Sequence, residues 1–254
     1  MRIWAIGDLH LSFGVENKSM DIFGPQWKHH AENIANSWKA LIHPEDLVLI
    51  PGDISWALTI EEAVADLKWI DALPGTKVMI KGNHDYWWGS LKKLSQVLPP
   101  SIHLIQNNAF HWHNVAVGGA RLWDTPEYSF AQYIEFRENP KAKKTPKETD
   151  AEKLIQQELS QKIFDREIER LKLSVKMMDP KAKVRIVMTH YPPISADLER
   201  SRAAQILEEN NIQICVFGHL HNIKANLSLF GEKRGVRYIL SAADYIRFQP
   251  IAIL

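Results

Sequence analysis

Acidic, amide and imidazole side chains follow a series of short apolar runs in this sequence. The members of this set are Asp8, His10, Asp53, Asn83, His84, Asp85, His190, His219 and His221. Oxygen and imidazole donors without a thiolate suit Mn²⁺, Fe or Zn²⁺. They are also more numerous than a single tetrahedral zinc ion needs. The residue types therefore predict a site for two divalent metal ions that share a carboxylate.

The apolar runs that carry these residues are predicted to be buried strands. They cover residues 2–10, 46–55, 77–85, 184–193 and 212–221. Each run is too short for an isolated helix and is rich in Val and Ile. Helical patterns at 29–42 and 59–73 separate the first runs, and Thr59 with Glu62 forms a predicted capping box. Alternating strands and helices favour a largely parallel sheet, in which ligands bind beyond the carboxyl ends of the strands.

The D-x-H motif and the H-x-H motif at the site each have a spacing that a strand would explain. Side chains two residues apart on a strand point to the same face. On that basis Asp8 and His10 point together towards the site, as do His219 and His221, while the intervening Leu9 and Leu220 turn into the core.

Other segments predict a second sheet packed on the first. Residues 102–107 and 109–120 are interpreted as a hairpin with its turn near Asn107 and Asn108. Near the C-terminus, strands are predicted at 225–230, 236–241 and 246–254, with a turn at 231–235.

The segment 124–181 contains no predicted strand. Residues 138–150 are typical of an exposed linker, and the lysine-rich run 141–147 of a solvated loop. A long amphipathic helix is predicted at 151–178, with an apolar stripe made of Leu154, Ile155, Leu159, Ile163, Ile168, Leu171, Val175 and Met178. This helix either covers the sheet, caps the site or forms a dimer contact.

Composition excludes few classes of function. The chain has 254 residues, a formal net charge of +1 and one cysteine, Cys215. Such a charge provides no global field for nucleic acid or an anionic membrane, and a single cysteine excludes an intrachain disulfide. The chain starts without a basic and apolar leader and has no apolar window of membrane-spanning length, so we expect a soluble, cytoplasmic protein.

The motifs occur in an order that resembles the calcineurin-like metallophosphoesterase superfamily: D-x-H, G-D, G-N-H-D, an isolated His and G-H-x-H. The resemblance implies a four-layer αββα fold, in which two mixed β-sheets pack as a sandwich flanked by helices. It also implies one domain over residues 1–254, with a helical insertion at about 124–181. In the family pattern the first metal ion is held by Asp8, His10, Asp53 and His221. The second is held by Asp53, Asn83, His190 and His219, with Asp53 bridging.

The resemblance also implies a reaction. A hydroxide that bridges the two ions attacks phosphorus in line, and His84 acts as general acid or stabilises the developing charge. Two ions of this kind acidify water and stabilise both the attacking and the leaving oxygen. Asp85 is predicted to support the ligands by hydrogen bonding.

This sequence departs from the protein serine/threonine phosphatases of that superfamily. Trp56 stands where those enzymes have Asp, and Lys81 stands where they have Arg. The chain resembles instead the compact bacterial phosphohydrolases, whose substrates are often phosphodiesters or nucleotides.

Three residues are predicted to contact the substrate. Trp56 and Trp87 offer rings for stacking, although indoles here also suit core packing. Arg121 offers a planar fork for a phosphate, and Trp123 and Asp124 follow it closely.

The functional alternatives are a non-catalytic scaffold of the same fold, a phosphomonoesterase of small metabolites, a nuclease and a nucleotide-lipid pyrophosphohydrolase. The expected partner is a small phosphorylated substrate. Nucleic acid is disfavoured, except for short oligonucleotides. The sequence leaves the substrate, the choice among Mn²⁺, Fe and Zn²⁺, and the oligomeric state open.

Overall fold

The computed structural model describes residues 1–136 and 149–254. The lysine-rich run 141–147 lies outside the described residues, as does the predicted linker 138–150 apart from its last two residues. The α-helices in the described residues are α1 (His30–Leu41), α2 (Ile60–Asp71), α3 (Leu91–Leu94), α4 (Asp150–Lys176) and α5 (Arg202–Glu209).

The first sheet is built around the N-terminal strands. In the described residues its strands are β1 (Ile3–Ala5), β2 (Leu47–Ile50), β3 (Thr76–Met79), β4 (Ile102–Leu104) and β11 (Ile251–Ala252). Their order across the sheet is β11-β1-β2-β3-β4. Strands β1 to β4 are parallel, whereas β11 pairs with β1 antiparallel. The short apolar runs separated by helices thus form the parallel sheet that they predict.

The second sheet contains the strands that follow β4. In the described residues they are β5 (Phe110–Trp112), β6 (Val115–Ala120), β7 (Val184–Thr189), β8 (Ile214–Phe217), β9 (Gly231–Lys233) and β10 (Val236–Leu240). Their order is β5-β6-β7-β8-β10-β9. The central strands are parallel and both edge strands are antiparallel, so this sheet is also mixed.

The two sheets pack face to face through the apolar residues on one side of each. Leu49 and Val78 of the first sheet belong to the same buried cluster as Val117, Ile186 and Val216 of the second. Alternate residues of the same strands point the other way, as the pleat requires. The predicted sandwich is therefore confirmed.

Helices cover the outer face of each sheet. Helices α1 and α2 bury Trp38 and Leu67 against the outer face of the first sheet, where Val48 lies. On the second sheet, α4 buries Phe164 and Leu171 in one cluster with residues of α5. The four layers of the predicted αββα fold are thus present.

The predicted hairpin over 102–120 is wrong in its pairing. Strand β4 is parallel to β3, and the hairpin consists of β5 and β6 with its turn at His113 and Asn114. A turn does occur at Asn107, whose φ is 63°, and the Asn108 side chain accepts from the backbone N–H of Gln106 at 2.6 Å. That turn carries the chain from one sheet to the other, which local sequence cannot distinguish from a hairpin.

The C-terminal strand predicted at 236–241 is confirmed as β10, whereas only residues 251–252 of the one predicted at 246–254 form a strand, β11. Residues 225–230 form no strand, and β9 begins at Gly231, inside the predicted turn. The turn that joins β9 to β10 is Arg234–Gly235, and both residues have positive φ, at 47° and 79°. Two consecutive left-handed residues match the twist of a tight hairpin.

Helix α4 follows its predicted stripe over only part of its length. It begins with a capping box between Thr149 and Glu152. Its C-terminal part packs on the second sheet, whereas Leu154, Ile155 and Leu159 near its start are exposed. The covering role is therefore observed for the C-terminal part. The role of the segment as a cap or a dimer contact, and the domain boundaries, stay predictions.

Across residues 1–136 and 149–254, helices that combine the length and the apolar character needed to cross a membrane are absent. The cytoplasmic location stays a prediction.

Candidate metal centre

The polar loops after five strands meet at one edge of the sandwich. Loops that follow β1, β2 and β3 of the first sheet and β7 and β8 of the second carry all of the predicted ligands. The structure brings together Asp8, His10, Asp53, Asn83, His190, His219 and His221. This is the edge at which the carboxyl ends of parallel strands place a ligand.

The backbone that presents four of these seven side chains is not extended. Asp8, His10, Asp53 and His219 all have left-handed backbone, with φ of 56°, 45°, 51° and 74°. Such conformations are unfavourable for residues other than glycine and cluster at functional sites. The explanation by strand alternation is therefore wrong, because β1 ends at Ala5 and β8 at Phe217. The intervening leucines are nevertheless buried, as expected.

Two glycines permit the close approach of the ligand loops. A Cβ at Gly82 would overlap the Asp53 carboxylate, and a Cβ at Gly218 would overlap that of Asp8. The G-N-H-D and G-H-x-H motifs thus contain glycine for a steric reason. Any side chain at these two positions would displace a carboxylate from the site.

One group of ligand atoms surrounds His10. Its Nε2 lies 3.2 Å from Nε2 of His221 and 3.8 Å from Oδ2 of Asp53. The Nε2 atom of His221 lies 3.6 Å from Oδ1 of Asp8. Donor atoms of Asp8, His10 and His221 all lie within 4.8 Å of one another, which one metal ion could satisfy.

A second group surrounds His190. Its Nε2 lies 2.6 Å from Oδ1 of Asn83 and 3.5 Å from Oδ2 of Asp53. The same Asn83 oxygen lies 3.0 Å from Nδ1 of His219. The Oδ2 atom of Asp53 therefore stands between the two groups, and Asp8 also lies within 4.8 Å of donor atoms in both. The other carboxylate oxygen of Asp53 accepts from the backbone N–H of His84 at 2.8 Å.

The donor set fits divalent cations. Asp8 and Asp53 are 0% and 1% exposed, and in the described residues neither forms an ion pair with Lys or Arg. Burial raises the pKa of both carboxyls, and their mutual repulsion raises that of Asp8 further. A bound cation would offset both effects.

Three of the four ligand histidines, His10, His190 and His219, are held in the neutral form that a metal requires. Burial lowers the pKa of His10 and His219 and lowers the pKa of His190 to about 3. The Nδ1–H of His190 donates to the carbonyl of Pro51 at 3.0 Å. That bond leaves Nε2 facing the centre, which is the usual way in which a protein fixes the tautomer of a ligating histidine.

Asp85 joins the loops that follow β2 and β3. Its Oδ1 accepts from the backbone N–H groups of Ile54 and Ser55, at 2.9 and 3.1 Å, and its Oδ2 accepts from that of Gly82 at 2.7 Å. Burial, with the charge of Asp53 nearby, raises the pKa of Asp85 to about 6. These bonds hold in place the loops that carry Asp53 and Asn83.

Asp244 is a functional candidate that the sequence analysis missed. Its Oδ1 accepts from Nδ1 of His221 at 2.8 Å. Burial alone would lower the pKa of His221, but the facing Asp244 carboxylate raises it to about 9. The available signal was an acidic residue four positions after strand β10, at the edge where the other ligands lie.

His84 lies at the site without joining either group of ligands. Its ring centroid is 5.7 Å from that of His10 and 4.6 Å from that of Trp56. Trp56 also stacks on His10, with centroids 5.1 Å apart and planes inclined by 24°. The partly exposed indole of Trp56 thus forms one wall of the site and holds His84 in place.

Trp87 does not lie where a substrate could reach it. It is 2% exposed, belongs to the core outside the first sheet, and its Nε1–H donates to Asp85 at 3.0 Å. The predicted substrate contact at Trp87 is therefore wrong, and the alternative of core packing is correct.

Arg121 lies beside the centre but outside both groups of donors. Its Nη2 is 3.5 Å from Oε1 of Glu167, and its guanidinium lies 4.5 Å from the ring centroid of Trp123. The carbonyl of Arg121 accepts from the backbone N–H of His190 at 3.1 Å, so its strand end is fixed against a ligand loop.

An aromatic cavity of about 660 Å³ opens beside His219. Its lining includes Trp123, Asp124, Tyr128, Phe130 and Tyr191. The ring of Tyr191 lies 4.0 Å from that of His219 and 5.2 Å from that of Trp123. The cavity therefore places stacking surfaces next to the second group of ligands.

Comparison with known proteins gives a family match over most of the chain. The sequence model of a family described as calcineurin-like phosphoesterase matches residues 1–222. The Gene 66 proteins of Mycobacterium phages D29 and L5 are 36% identical over 83 residues and 34% identical over 86 residues. These alignments cover 33% and 32% of this chain, and 40% and 39% of the phage proteins. The chain thus matches less than half the length of either relative.

A crystal structure of the protein of unknown function AQ665 from Aquifex aeolicus aligns with 99% of this chain and 95% of its own. The TM-score is 0.47 and the sequence identity is 14%.

Proposed function

Since this chain belongs to the calcineurin-like phosphoesterase family, whose members are metal-dependent hydrolases of phosphoester bonds, we propose that it hydrolyses a phosphodiester or nucleotide-type substrate at a dinuclear metal centre. The ions are Mn²⁺, Fe or Zn²⁺, since the donors are carboxylate, amide and imidazole groups.

The observation that carries the proposal is the position of Asp53. A single carboxylate oxygen lies 3.8 Å from the donor nitrogen of His10 and 3.5 Å from that of His190. Each histidine belongs to a separate group of donors, and Asp53 is the bridge that a pair of ions would share. When bound, two divalent ions supply an acidic water molecule and positive charge for the phosphoryl oxygens.

The protein residues have distinct parts in this proposal. Asp8, His10 and His221 hold one ion with Asp53, and Asn83, His190 and His219 hold the other. Asp85 and Asp244 orient their loops and rings by hydrogen bonds.

His84 donates a proton to the leaving oxygen or stabilises its charge. Its backbone N–H is fixed on Asp53 and its ring is packed by Trp56, so the imidazole is held against the centre. The indole at position 56 replaces the carboxylate that protein phosphatases have there. Packing rather than an ion pair therefore positions His84, which supports a substrate other than a phosphoprotein.

The preference for a diester or nucleotide rests on the aromatic cavity. A diester carries a second organic group, and a cavity of about 660 Å³ lined by Trp123 and Tyr191 beside His219 has space for it. A small phosphorylated molecule is therefore the proposed partner.

The test is hydrolysis by the full chain after its metals are removed and Mn²⁺ is added. Bis-p-nitrophenyl phosphate is compared with p-nitrophenyl phosphate, and His84→Ala is measured beside the wild type. We expect the diester to react faster and His84→Ala to lower kcat by about 10²- to 10⁴-fold, the usual effect of losing a general acid. The manganese content of the variant should be unchanged.

Three outcomes would contradict parts of the proposal. A faster monoester would move the substrate to phosphorylated metabolites. Turnover that is unchanged in His84→Ala would remove its assigned role. Binding of two ions without hydrolysis of either ester, with Mn²⁺, Fe²⁺ or Zn²⁺, would favour the non-catalytic scaffold.

A further inference from the structure

A second cavity, of about 240 Å³, lies at the ends of β3, β4 and β6 and is bordered by α4. Its polar lining consists of Lys81, Gln106, Asn107, Arg121, Glu167 and Arg170. We call it the basic cavity, because its lining contains three cationic side chains and one carboxylate.

The basic cavity adjoins the metal centre through two shared segments. Lys81 precedes the ligand Asn83 by two residues on the same loop. The carbonyl of Arg121 accepts from the backbone N–H groups of His190 and Tyr191, at 3.1 and 3.0 Å. A substrate held at the metal centre therefore lies next to this cavity.

The charges of the basic cavity do not balance. Glu167 is 1% exposed, and Nη1 of Arg170 contacts its Oε1 at 2.8 Å. That one guanidinium is enough to pair the buried carboxylate. Arg121 lies 3.5 Å from the same oxygen, and Lys81 adds a further positive charge to the lining. The cavity thus carries two positive charges more than its own carboxylate can neutralise.

Arg121 has one buried N–H donor that is unpaired within the described residues. Its side chain is 15% exposed, and its buried Nε–H has no hydrogen-bond partner within the described part of the chain. One face of the guanidinium is covered by Trp123. Burying an unpaired donor of a charged group is costly. The accessible N–H groups of the guanidinium line the cavity, and their planar arrangement matches the oxygens of a phosphoryl group.

We propose that the basic cavity binds a phosphoryl group through Arg121, Lys81 and Arg170. The phosphoryl group is either a second one on the substrate whose ester lies at the metal centre, or free inorganic phosphate. A second phosphoryl group on the substrate rests on the proposed function. Binding of a phosphoryl group in the basic cavity does not depend on it.

Phosphate binding is tested on the full chain without metals. Under that condition the buried carboxylates of the metal centre repel phosphate, so binding there does not mask binding in the basic cavity. Inorganic phosphate is titrated calorimetrically into the wild type, Arg121→Gln and Arg166→Gln. Arg166 is the matched control, because it also approaches Glu167, at 3.6 Å, but does not line the cavity. We expect Arg121→Gln to weaken phosphate binding at least tenfold and Arg166→Gln to leave it unchanged.

Two results would overturn the proposal. One is the absence of phosphate binding to the wild type. The other is an equal effect of the two substitutions, which would mean that the arginines serve only to pair Glu167. Thermal unfolding of each variant shows whether Arg121→Gln is folded. If it is not, Lys81→Met provides the same comparison from the other wall of the cavity.

Turnover of a matched pair of esters identifies the source. The pair is the p-nitrophenyl ester of thymidine 5′-monophosphate and its 3′-phosphorylated counterpart, measured with Mn²⁺. A ratio of kcat/KM of at least ten in favour of the phosphorylated ester, reduced by Arg121→Gln but not by Arg166→Gln, supports a second phosphoryl group on the substrate. Equal turnover of the two, with phosphate still bound by the metal-free chain, supports free phosphate. If neither ester reacts, the proposed function fails, while the calorimetric result still decides the cavity.

Discussion

At the scale of single residues, the hydrogen bond between His221 and Asp244 allows a direct test of metal binding at the centre. The carboxylate accepts from Nδ1 of His221 and so directs Nε2 towards Asp8. Asp244 also accepts from the backbone N–H of Asn222 at 2.9 Å, which fixes the loop. A partner of this kind affects the metal affinity of its histidine without touching the ion.

We expect Asp244→Asn to weaken the binding of Mn²⁺ by about 10- to 100-fold, the usual effect of losing such a partner. Competition with a coloured chelator measures the affinity. Asp197→Asn is the control, since Asp197 is exposed and bonds only Tyr133 among the described residues. Restoration of affinity by Asp244→Glu would support the role in positioning. An affinity in Asp244→Asn equal to that of the control would contradict it.

At the scale of elements, strand β3 contains a buried lysine whose charge opposes folding. Lys77 is 1% exposed, and its Nζ donates to the carbonyls of Leu73 and Asp71 and to Oγ of Ser101. Burial lowers the pKa of Lys77 from 10.5 to about 8, and the nearby Asp71 carboxylate offsets only part of that effect.

The stability of the protein should therefore depend on pH at this position. Between pH 8 and 10.5 the unfolded chain holds a proton that the folded chain has lost, so the free energy of unfolding rises with pH there. Below pH 8 both states are charged, and the contribution of Lys77 stays at its lowest value. Relative to Lys77→Met, the wild type should gain about 3 kcal/mol at most across that interval. Urea unfolding of both proteins at several pH values measures the difference, and a constant difference would contradict the shifted pKa.

The strands and loops also show which features of the structure can be predicted from local sequence. The apolar runs before Asp8, Asp53 and His190 predict strands and place their polar ends at one edge, because burial and periodicity are local properties. Local sequence does not reveal that these ligands leave the strand in left-handed backbone, since that conformation depends on contacts such as the bond from the Asp8 N–H to the carbonyl of Gly52. Sheet membership is equally non-local, so the sequence pattern favours a hairpin for β4, whereas β4 pairs in parallel with β3. Asp244 was missed because its partner is 23 residues away along the chain.

At the scale of the whole molecule, the buried apolar side chains of the described residues form three cores. One lies between the sheets, and the other two lie under the helices on either side. Helix α4 joins one of these cores only through its C-terminal part, and it also supplies Glu167 and Arg170 to the basic cavity. Its packing therefore matters for that cavity as well as for the fold.

We expect Leu171→Ala to lower the free energy of unfolding by about 2–5 kcal/mol, because Leu171 is fully buried and its removal leaves a cavity. Leu154→Ala is the matched control on the same helix, where the side chain is 59% exposed. Its effect should stay within about 0.5 kcal/mol. Chemical denaturation of the two variants measures both values. A large effect of Leu154→Ala would mean that the exposed start of α4 is covered in solution.

The proposed bridging role of Asp53 depends on ligand loops from both sheets. Electron paramagnetic resonance of the full chain reconstituted with Mn²⁺ tests whether two ions share Asp53. The metal content is determined on the same sample. We expect two ions per chain and the spectrum of an exchange-coupled pair, which Asp53→Asn should abolish. One ion per chain, or two ions with only the six-line signals of isolated Mn²⁺, would contradict a shared dinuclear centre.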